Sequence, residues 1–226
     1  VAVIMDGNRR FGRREHGDCL SGHRAGGERL RDFLEWCVDA GVGYLTVFAF
    51  STENWKRDPR EVEAMMQLFL VEVPKLGKLT ARLNVSVRFL SSDIAPLSPE
   101  LRAALARLEA ETASCTGLRL SVCLSYGSRG EVAQACRDLA EQVARGDIRL
   151  EDIDESAISR RLLTGDLPDP DVLVRTSGEC RLSNFLMYQL AYTELFFLDK
   201  HWPEISRDDF HRVVAQYRAR QRRFGK

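Results

Sequence analysis

Apolar positions along the chain fall into two alternating kinds of run. Short, near-continuous stretches rich in β-branched and aromatic residues predict strands: "VAVIM" (1–5), "YLTVFAF" (44–50), "VSVRFL" (85–90), "LRLSVCL" (118–124), "DVLVR" (171–175) and "ELFFL" (194–198). Continuous rather than strictly alternating apolar character suits strands covered on both faces. Between them the period lengthens to that of a helix. Leu30, Phe33, Leu34 and Cys37 share one face of 22–40, and Val62, Met65, Met66, Phe69, Leu70 and Val73 recur within 59–73. Residues 99–113 are amphipathic, as are 129–145 through Val132, Ala135, Cys136, Leu139 and Val143, and 206–223 form a polar, Arg-rich helix. Strand–helix alternation over the whole length predicts the α/β class, as a single domain (1–226) with a central, mostly parallel six-stranded sheet flanked by helices.

In open parallel sheets, ligands settle beyond the carboxyl ends of the strands. Polar clusters stand at that place after the first, second, fourth and fifth strands: "DGNRR", "STENWKR", "SYGSR" and "RTSGECRLSN". Lys+Arg and Asp+Glu balance at 33 each, so no global field draws the protein to nucleic acid and any basic surface is local. The 6 cysteines form no CxxC pair, which points to a reducing compartment and away from zinc. No apolar run nears the roughly 20 residues of a membrane span. Because the chain opens directly on a strand, a trimmed N-terminus is expected, which leaves organelle targeting open.

Each cluster carries candidate chemistry beside a plainer reading. Asp6, Gly7, Asn8, Arg9 and Arg10 combine a carboxylate, a permissive turn and cationic side chains; a carboxylate among arginines stays ionised, as a hard-cation ligand must, but a surface turn with ion pairs uses the same residues. His23 in "GHRAGG" opens a helix and could join its free amides around an anion, or serve the core. Ser51, Thr52, Glu53 and Asn54, followed by Trp55 and Arg57, can orient a substrate or relay a proton, and are also helix-capping residues. Arg175 and Arg181, interleaved with Thr176, Ser177, Gly178 and Ser183, suit a doubly charged diphosphate. Glu194 lies in "FLMYQLAYTELFF", where a carboxylate needs a cation, either a metal or an arginine. Met65, Met66, Leu68, Phe69, Leu70 and Val71 leave their helix little polar face, which fits a core helix or one lining an oily tunnel.

Taken together, "VAVIMDGNRR", "GHRAG", "FAFSTENWKRDPREV", "SYGSRGE", "RTSGECRLSNFLMYQLAYTELFF", "WPEI" and the terminal "RRFG" resemble, in order and spacing over essentially the full chain, the cis-prenyltransferase family of undecaprenyl and dehydrodolichyl diphosphate synthases. The resemblance implies condensation of isopentenyl diphosphate onto an allylic diphosphate, with Mg²⁺ as cofactor. It implies Asp6 as the essential acid and a metal ligand, and Gly7, Asn8, Arg9, Arg10, Phe11 and His23 as the allylic diphosphate cradle. Ser51, Thr52, Glu53, Trp55 and Arg57 would flank the reacting carbons, with Asn54 as proton acceptor. Arg175, Arg181, Leu182 and Ser183 would hold isopentenyl diphosphate. Glu194 would be a second metal ligand, reaching the site of a neighbouring subunit in a homodimer, with Arg223-Phe224-Gly225 crossing the interface. The DDxxD motifs of trans-type synthases are absent; Asp208-Asp209 stands alone. Cys19 and Cys180 depart from the arginine and histidine common at their positions in the family.

The retained "DGN" acid and "RTSGE" arginine weigh against a non-catalytic partner subunit, the chief alternative. A phosphatase would want a second aspartate two residues after Asp6, and RNA binding lacks an aromatic platform. The expected location is the cytoplasm or a membrane surface, touched peripherally through the product. Short or medium products are expected, because no charged insertion separates the second and third strands.

Overall fold

The computed structural model describes residues 1–220. Its strands are β1 (Ala2–Ile4), β2 (Tyr44–Ser51), β3 (Ser86–Leu90), β4 (Arg119–Tyr126), β5 (Val172–Thr176) and β6 (Glu194–Leu198), joined in one sheet of order β3-β4-β2-β1-β5-β6. Every pairing is parallel, so the sheet is wholly rather than mostly parallel. β1 pairs with β2 on one side and β5 on the other. The connections that follow β1 and β5 therefore run to opposite sides of the sheet, and the loops at the carboxyl ends of these two strands separate to form a crevice.

Helices cover both faces: α1 (Asn8–His16), α2 (Cys19–Asp39), α3 (Pro59–Arg82), α4 (Pro99–Thr112), α5 (Ser128–Arg145), α6 (Glu155–Ser159) and α7 (Arg207–Ala219), with a 3-10 turn at Thr52–Lys56. β1 shows why its run is unbroken. Val3 packs into a cluster with Phe33 and Leu34 of α2, Val62 and Met65 of α3, Leu101 of α4 and Phe210 of α7. Ala2 and Ile4 face the other way, into a cluster with Tyr126, Phe185, Leu186 and Leu190. Each such large side chain, fully buried, contributes roughly 1.5–3 kcal/mol. Among the described residues no helix is long and apolar enough to cross a membrane.

The structure adds elements that the hydrophobic pattern did not show. α1 is one, because "NRRFGRREH" carries almost no apolar stripe and buries only Gly12. It is held by close packing on α2, where a Cβ on Gly22 would meet the Asn8 carbonyl oxygen at 1.9 Å. α2 begins at Cys19, capped by Asp18, whose carboxylate accepts the Ser21 amide at 2.8 Å. His23 thus lies inside the helix rather than at its opening. α3 runs on through Pro74 to Arg82, past the expected end at 73. Its apolar surface is narrower than the sequence implied, since Val71 is 55% exposed.

Candidate active site

Asp6 follows β1 directly, at the crevice. Its carboxylate accepts hydrogen bonds from Arg175 Nη2 at 2.9 Å, from the Gly7 amide at 2.7 Å and from Arg10 Nη2 at 3.4 Å. Its main-chain oxygen accepts from Thr176 Oγ1 at 2.7 Å and from the Trp202 amide at 2.9 Å. The acid is thereby fixed from β5 and from the segment after β6. Partial burial pushes its pKa up, but the Arg175 bond, the Gly7 amide and the charges of Arg175 and Arg10 outweigh that and hold it below the ordinary 3.8. Asp6 is therefore an anion at neutral pH.

Arg175 is 3% exposed. Its Nη1 donates to Ser183 Oγ at 2.8 Å and to the Arg181 carbonyl. The arginine thus organises the loop after β5 while pairing with Asp6. α1 starts at the same place. Gly7 takes φ 96°, and the first amides of the helix have no intrahelical acceptor, which makes its N-terminus an anion site.

These groups line a cleft of about 400 Å³, which includes Asp6, Gly7, Asn8, Arg9, Arg10, Arg13, His23, Ser51, Asn54, Arg57, Arg175, Arg181 and Ser183. Asp6 is the one carboxylate among its lining residues, against six arginines. Arg9 reaches Glu61 at 3.0 Å and Arg57 reaches it at 3.5 Å, so α3 anchors two of the cations from behind. His23 is pushed down to about 4, first by burial and then by the charges of Arg57 and Arg9, so it is neutral at pH 7. Its Nε2, Asn8 Oδ1 and Arg9 Nε are buried without a hydrogen-bond partner. Buried polar atoms cost about 1–3 kcal/mol when unpaired, and their clustering marks a place built for a polar ligand.

Beneath the cleft lies an apolar cavity of about 110 Å³ that shares Met5, Asn8, His23, Ala49 and Met65 with it. Its walls include Leu30 of α2, Leu68, Phe69 and Leu76 of α3, and Phe89 and Val122 of the sheet. Arg31 and Glu72, paired at 2.5 Å, stand at its flank. A charged rim thus borders an apolar cavity between α2 and α3, and the two share five wall residues.

Several expected site residues lie elsewhere. Phe11 does not line the cleft; its ring packs against His16 and under Arg14. Thr52, Glu53 and Trp55 belong to the 3-10 turn behind Ser51, where the Trp55 indole donates to Ser125 Oγ at 2.8 Å and Glu53 accepts from Asn184 at 2.8 Å. Leu182 packs against the second core cluster. Asn54 does line the cleft, but its Oδ1 already accepts the Ser51 amide at 3.1 Å. Glu194 stands apart from Asp6 within the chain, as a role at a neighbouring subunit's site requires. It begins β6, at the amino end of the sheet, while Asp6 follows the carboxyl end of β1, so one chain cannot bring both to one ion. Within the chain Glu194 pairs with Arg220, which is the arginine alternative. Arg223-Phe224-Gly225 lie outside the described residues. Sequence reasoning missed Arg13, Met5 and Ala49. Arg13 was findable, one helical turn beyond Arg10, had α1 been recognised.

Among the described residues no three His, Cys, Asp or Glu side chains cluster to hold a metal alone. Mg²⁺ is commonly held by one or two carboxylates and completed by water and substrate phosphates. The ionised Asp6 beside a basic, anion-ready cleft fits that donor set.

A wholly parallel α/β sheet with an arginine-rich cleft above an apolar cavity defines an enzyme for substrates that are anionic at one end and oily at the other. The undecaprenyl diphosphate synthase family model matches residues 4–225, and the chain belongs to that family of prenyltransferases. It is 44% identical over 232 residues to the tritrans,polycis-undecaprenyl-diphosphate synthase (geranylgeranyl-diphosphate specific) of Thermococcus kodakarensis, covering 100% of this chain and 86% of the relative. It is 42% identical over 226 residues to the ditrans,polycis-undecaprenyl-diphosphate synthase ((2E,6E)-farnesyl-diphosphate specific) of Pseudomonas putida, covering 100% and 90%. Lavandulyl diphosphate synthase from Lavandula x intermedia, solved in complex with dimethylallyl diphosphate, superposes with a TM-score of 0.95 at 29% identity, covering 100% of this chain and 97% of that one.

Proposed function

We propose that this protein condenses isopentenyl diphosphate with an allylic diphosphate, dependent on Mg²⁺, to lengthen a cis-prenyl chain, and that it works as a homodimer. The observation that carries the reading is the adjacency of the basic cleft and the apolar cavity, which share Met5, Asn8, His23, Ala49 and Met65 in their walls. The allylic diphosphate sits against the α1 N-terminus with Arg9, Arg10 and Arg57, and its hydrocarbon points down between α2 and α3. Each buried CH₂ there is worth about 0.8 kcal/mol. Isopentenyl diphosphate takes Arg181 and Ser183, oriented by Arg175.

Breaking the allylic C–O bond moves negative charge onto the departing diphosphate, and pre-placed guanidinium groups and helix-end amides stabilise it there. Asp6 would hold Mg²⁺ when it is bound, and the ion would supply further charge neutralisation at that leaving group. The terminal carbon of the isopentenyl double bond attacks the allylic carbon, and positive charge passes to the inner alkene carbon. A proton is then lost from the CH₂ between that carbon and the diphosphate-bearing CH₂, which closes the new double bond. Ser51, which ends β2, and Asn54, in the turn after it, are the cleft's candidate acceptors for that proton. An amide oxygen is too weak a base to keep a proton, so the released diphosphate is its end point.

The dimer rests on the edge strand β6, whose outer surface exposes Leu195 and Phe197, with Met187 and Tyr192 exposed just before it. An apolar sheet edge calls for a cover. Glu194 belongs to this edge, and a metal role for it requires the neighbouring subunit. An oily product supports work peripheral to a membrane, beside the alternative of the cytoplasm.

The test is incubation with labelled isopentenyl diphosphate and dimethylallyl, farnesyl or geranylgeranyl diphosphate, with Mg²⁺ or a chelator, followed by mass analysis and sedimentation. A Mg²⁺-dependent ladder of cis-prenyl diphosphates from a dimer is expected. No elongation of any starter would overturn the reading and leave the non-catalytic partner subunit.

A further inference from the structure

The carboxyl-end loops after β2, β4 and β5 meet at one side chain to which nothing above gives a role. Asn184 takes φ 63°, a left-handed conformation that asparagine tolerates better than most residues. Its main-chain oxygen accepts the Ser128 amide at 2.8 Å, and its Oδ1 accepts the Arg129 amide at 2.9 Å. These are the first two amides of α5, whose own N-cap position is Gly7's counterpart in kind, a glycine (Gly127) with no side chain to cap them. Asn184 is thus a cap supplied from a distant loop. Its Nδ2 meanwhile donates to Glu53 Oε1 at 2.8 Å, in the turn after β2. Contact at the junction is close: a Cβ on Gly127 would meet Asn184 Nδ2 at 2.6 Å and Thr52 Oγ1 at 2.7 Å. Ser128 Oγ closes the clamp by accepting the Met187 amide at 3.0 Å.

The neighbours of these atoms are cleft residues. Ser183, which precedes Asn184, lines the cleft and accepts from Arg175. Ser51 and Asn54 line it on either side of Glu53. We infer that Asn184 is a positioning residue that fixes the spacing between the Arg181–Ser183 side of the cleft and the Ser51–Asn54 side, using its amide donor on Glu53 and its amide oxygen on α5. This rests on the function proposed above, because only a two-substrate condensation makes that spacing decide turnover.

The two ends of the amide are separable by substitution. Asn184→Asp keeps an acceptor for the α5 amides, where a carboxylate is welcome, but sets a second negative charge against Glu53. Asn184→Ala removes both ends. The full-length protein, wild type and variants, is compared by thermal unfolding, amide hydrogen exchange of 51–57 and 128–131, and steady-state kinetics. Asn184→Asp is expected to keep protection at 128–131 but lose it at 51–57, whereas Asn184→Ala loosens both. In Asn184→Asp, KM for isopentenyl diphosphate rises on the order of tenfold or more, as befits a charged hydrogen bond, while KM for the allylic diphosphate stays within about twofold. In a Glu53→Gln background, whose amide can donate to the new carboxylate, exchange at 51–57 recovers and the Asn184→Asp penalty shrinks to about threefold or less. Unchanged exchange at 51–57 in Asn184→Asp, or no recovery with Glu53→Gln, overturns the inference whether or not turnover is measurable. If the exchange pattern is as expected but the wild type condenses nothing, the tie between loops stands and the proposed function falls instead.

Discussion

Asp6→Asn is the substitution in which stability and catalysis separate most clearly. The side chain keeps its size, but one oxygen becomes an amide donor and the charge disappears. Three hydrogen bonds converge on the carboxylate, from Arg175, Gly7 and Arg10. The Arg10 contact is long and solvent-facing, a type worth about 0–1 kcal/mol. The Arg175 contact is different, because that guanidinium is 3% exposed and cannot turn to water for a new partner. Stranding one member of a fully buried pair costs about 3–5 kcal/mol, and a hydrogen bond to a charged group about 1.5–3 kcal/mol. Asp6 opens on the cleft, so water relieves part of this, and a loss of about 2 kcal/mol at pH 7 is expected. For a protein of this size that is roughly 4–8 °C in melting midpoint.

The pH dependence fixes the cause. The folded-state pKa of Asp6 is lowered from 3.8, so its contribution is fully present above 3.8 and disappears as the pH falls through the lowered value. The gap between wild type and Asp6→Asn, read from urea unfolding, should be flat from pH 5 to 8 and close below 3.8. Turnover should fall by orders of magnitude at every pH, with the fold intact by circular dichroism. Equal stability of the two proteins at pH 7 would refute the ion pair as a structural element, and near-normal turnover would refute Asp6 as the essential acid.

His23 should leave its own mark in a different window. Because burial and neighbouring arginines lower it from 6.5 to about 4, the unfolded chain binds a proton there that the folded one refuses, and stability falls as the pH drops between those values. The total is roughly 3 kcal/mol, and His23→Asn should flatten that part of the curve in urea titrations at pH 4–7. In the apolar cavity, Met65→Phe and Phe69→Trp should shorten the products seen by mass analysis, while Val71→Trp, on the exposed side of the same helix, should not. An unchanged product distribution in the first two would return α3 to a plain core helix.

Much of this was legible before any coordinates. The strand runs were read to within a residue or two, because a doubly covered parallel strand must be apolar on both faces, as Val3 and Ile4 show by entering opposite clusters. Asp6, Arg175 and Ser183 were legible as site residues because they stand at or beyond the carboxyl ends of β1 and β5, where parallel sheets open. α1 was not, since its stability comes from packing against α2 and not from an apolar stripe. The continuation of α3 past Pro74 was hidden for a related reason, that tertiary packing outweighs a missing hydrogen bond.

The sequence by itself determined the class of fold, the rim on which the chemistry gathers and the family to which the chain belongs, since these follow from local periodicity and from motifs in order. Tertiary structure alone decided which motif residues face the cleft and which stand behind it. Trp55 and Glu53 turn away to Ser125 and Asn184, and Glu194 is carried to the far end of the sheet to meet Arg220. Direction in space is set by strand polarity and by partners more than a hundred residues away, as between Asp6 and Arg175, and no local pattern encodes it.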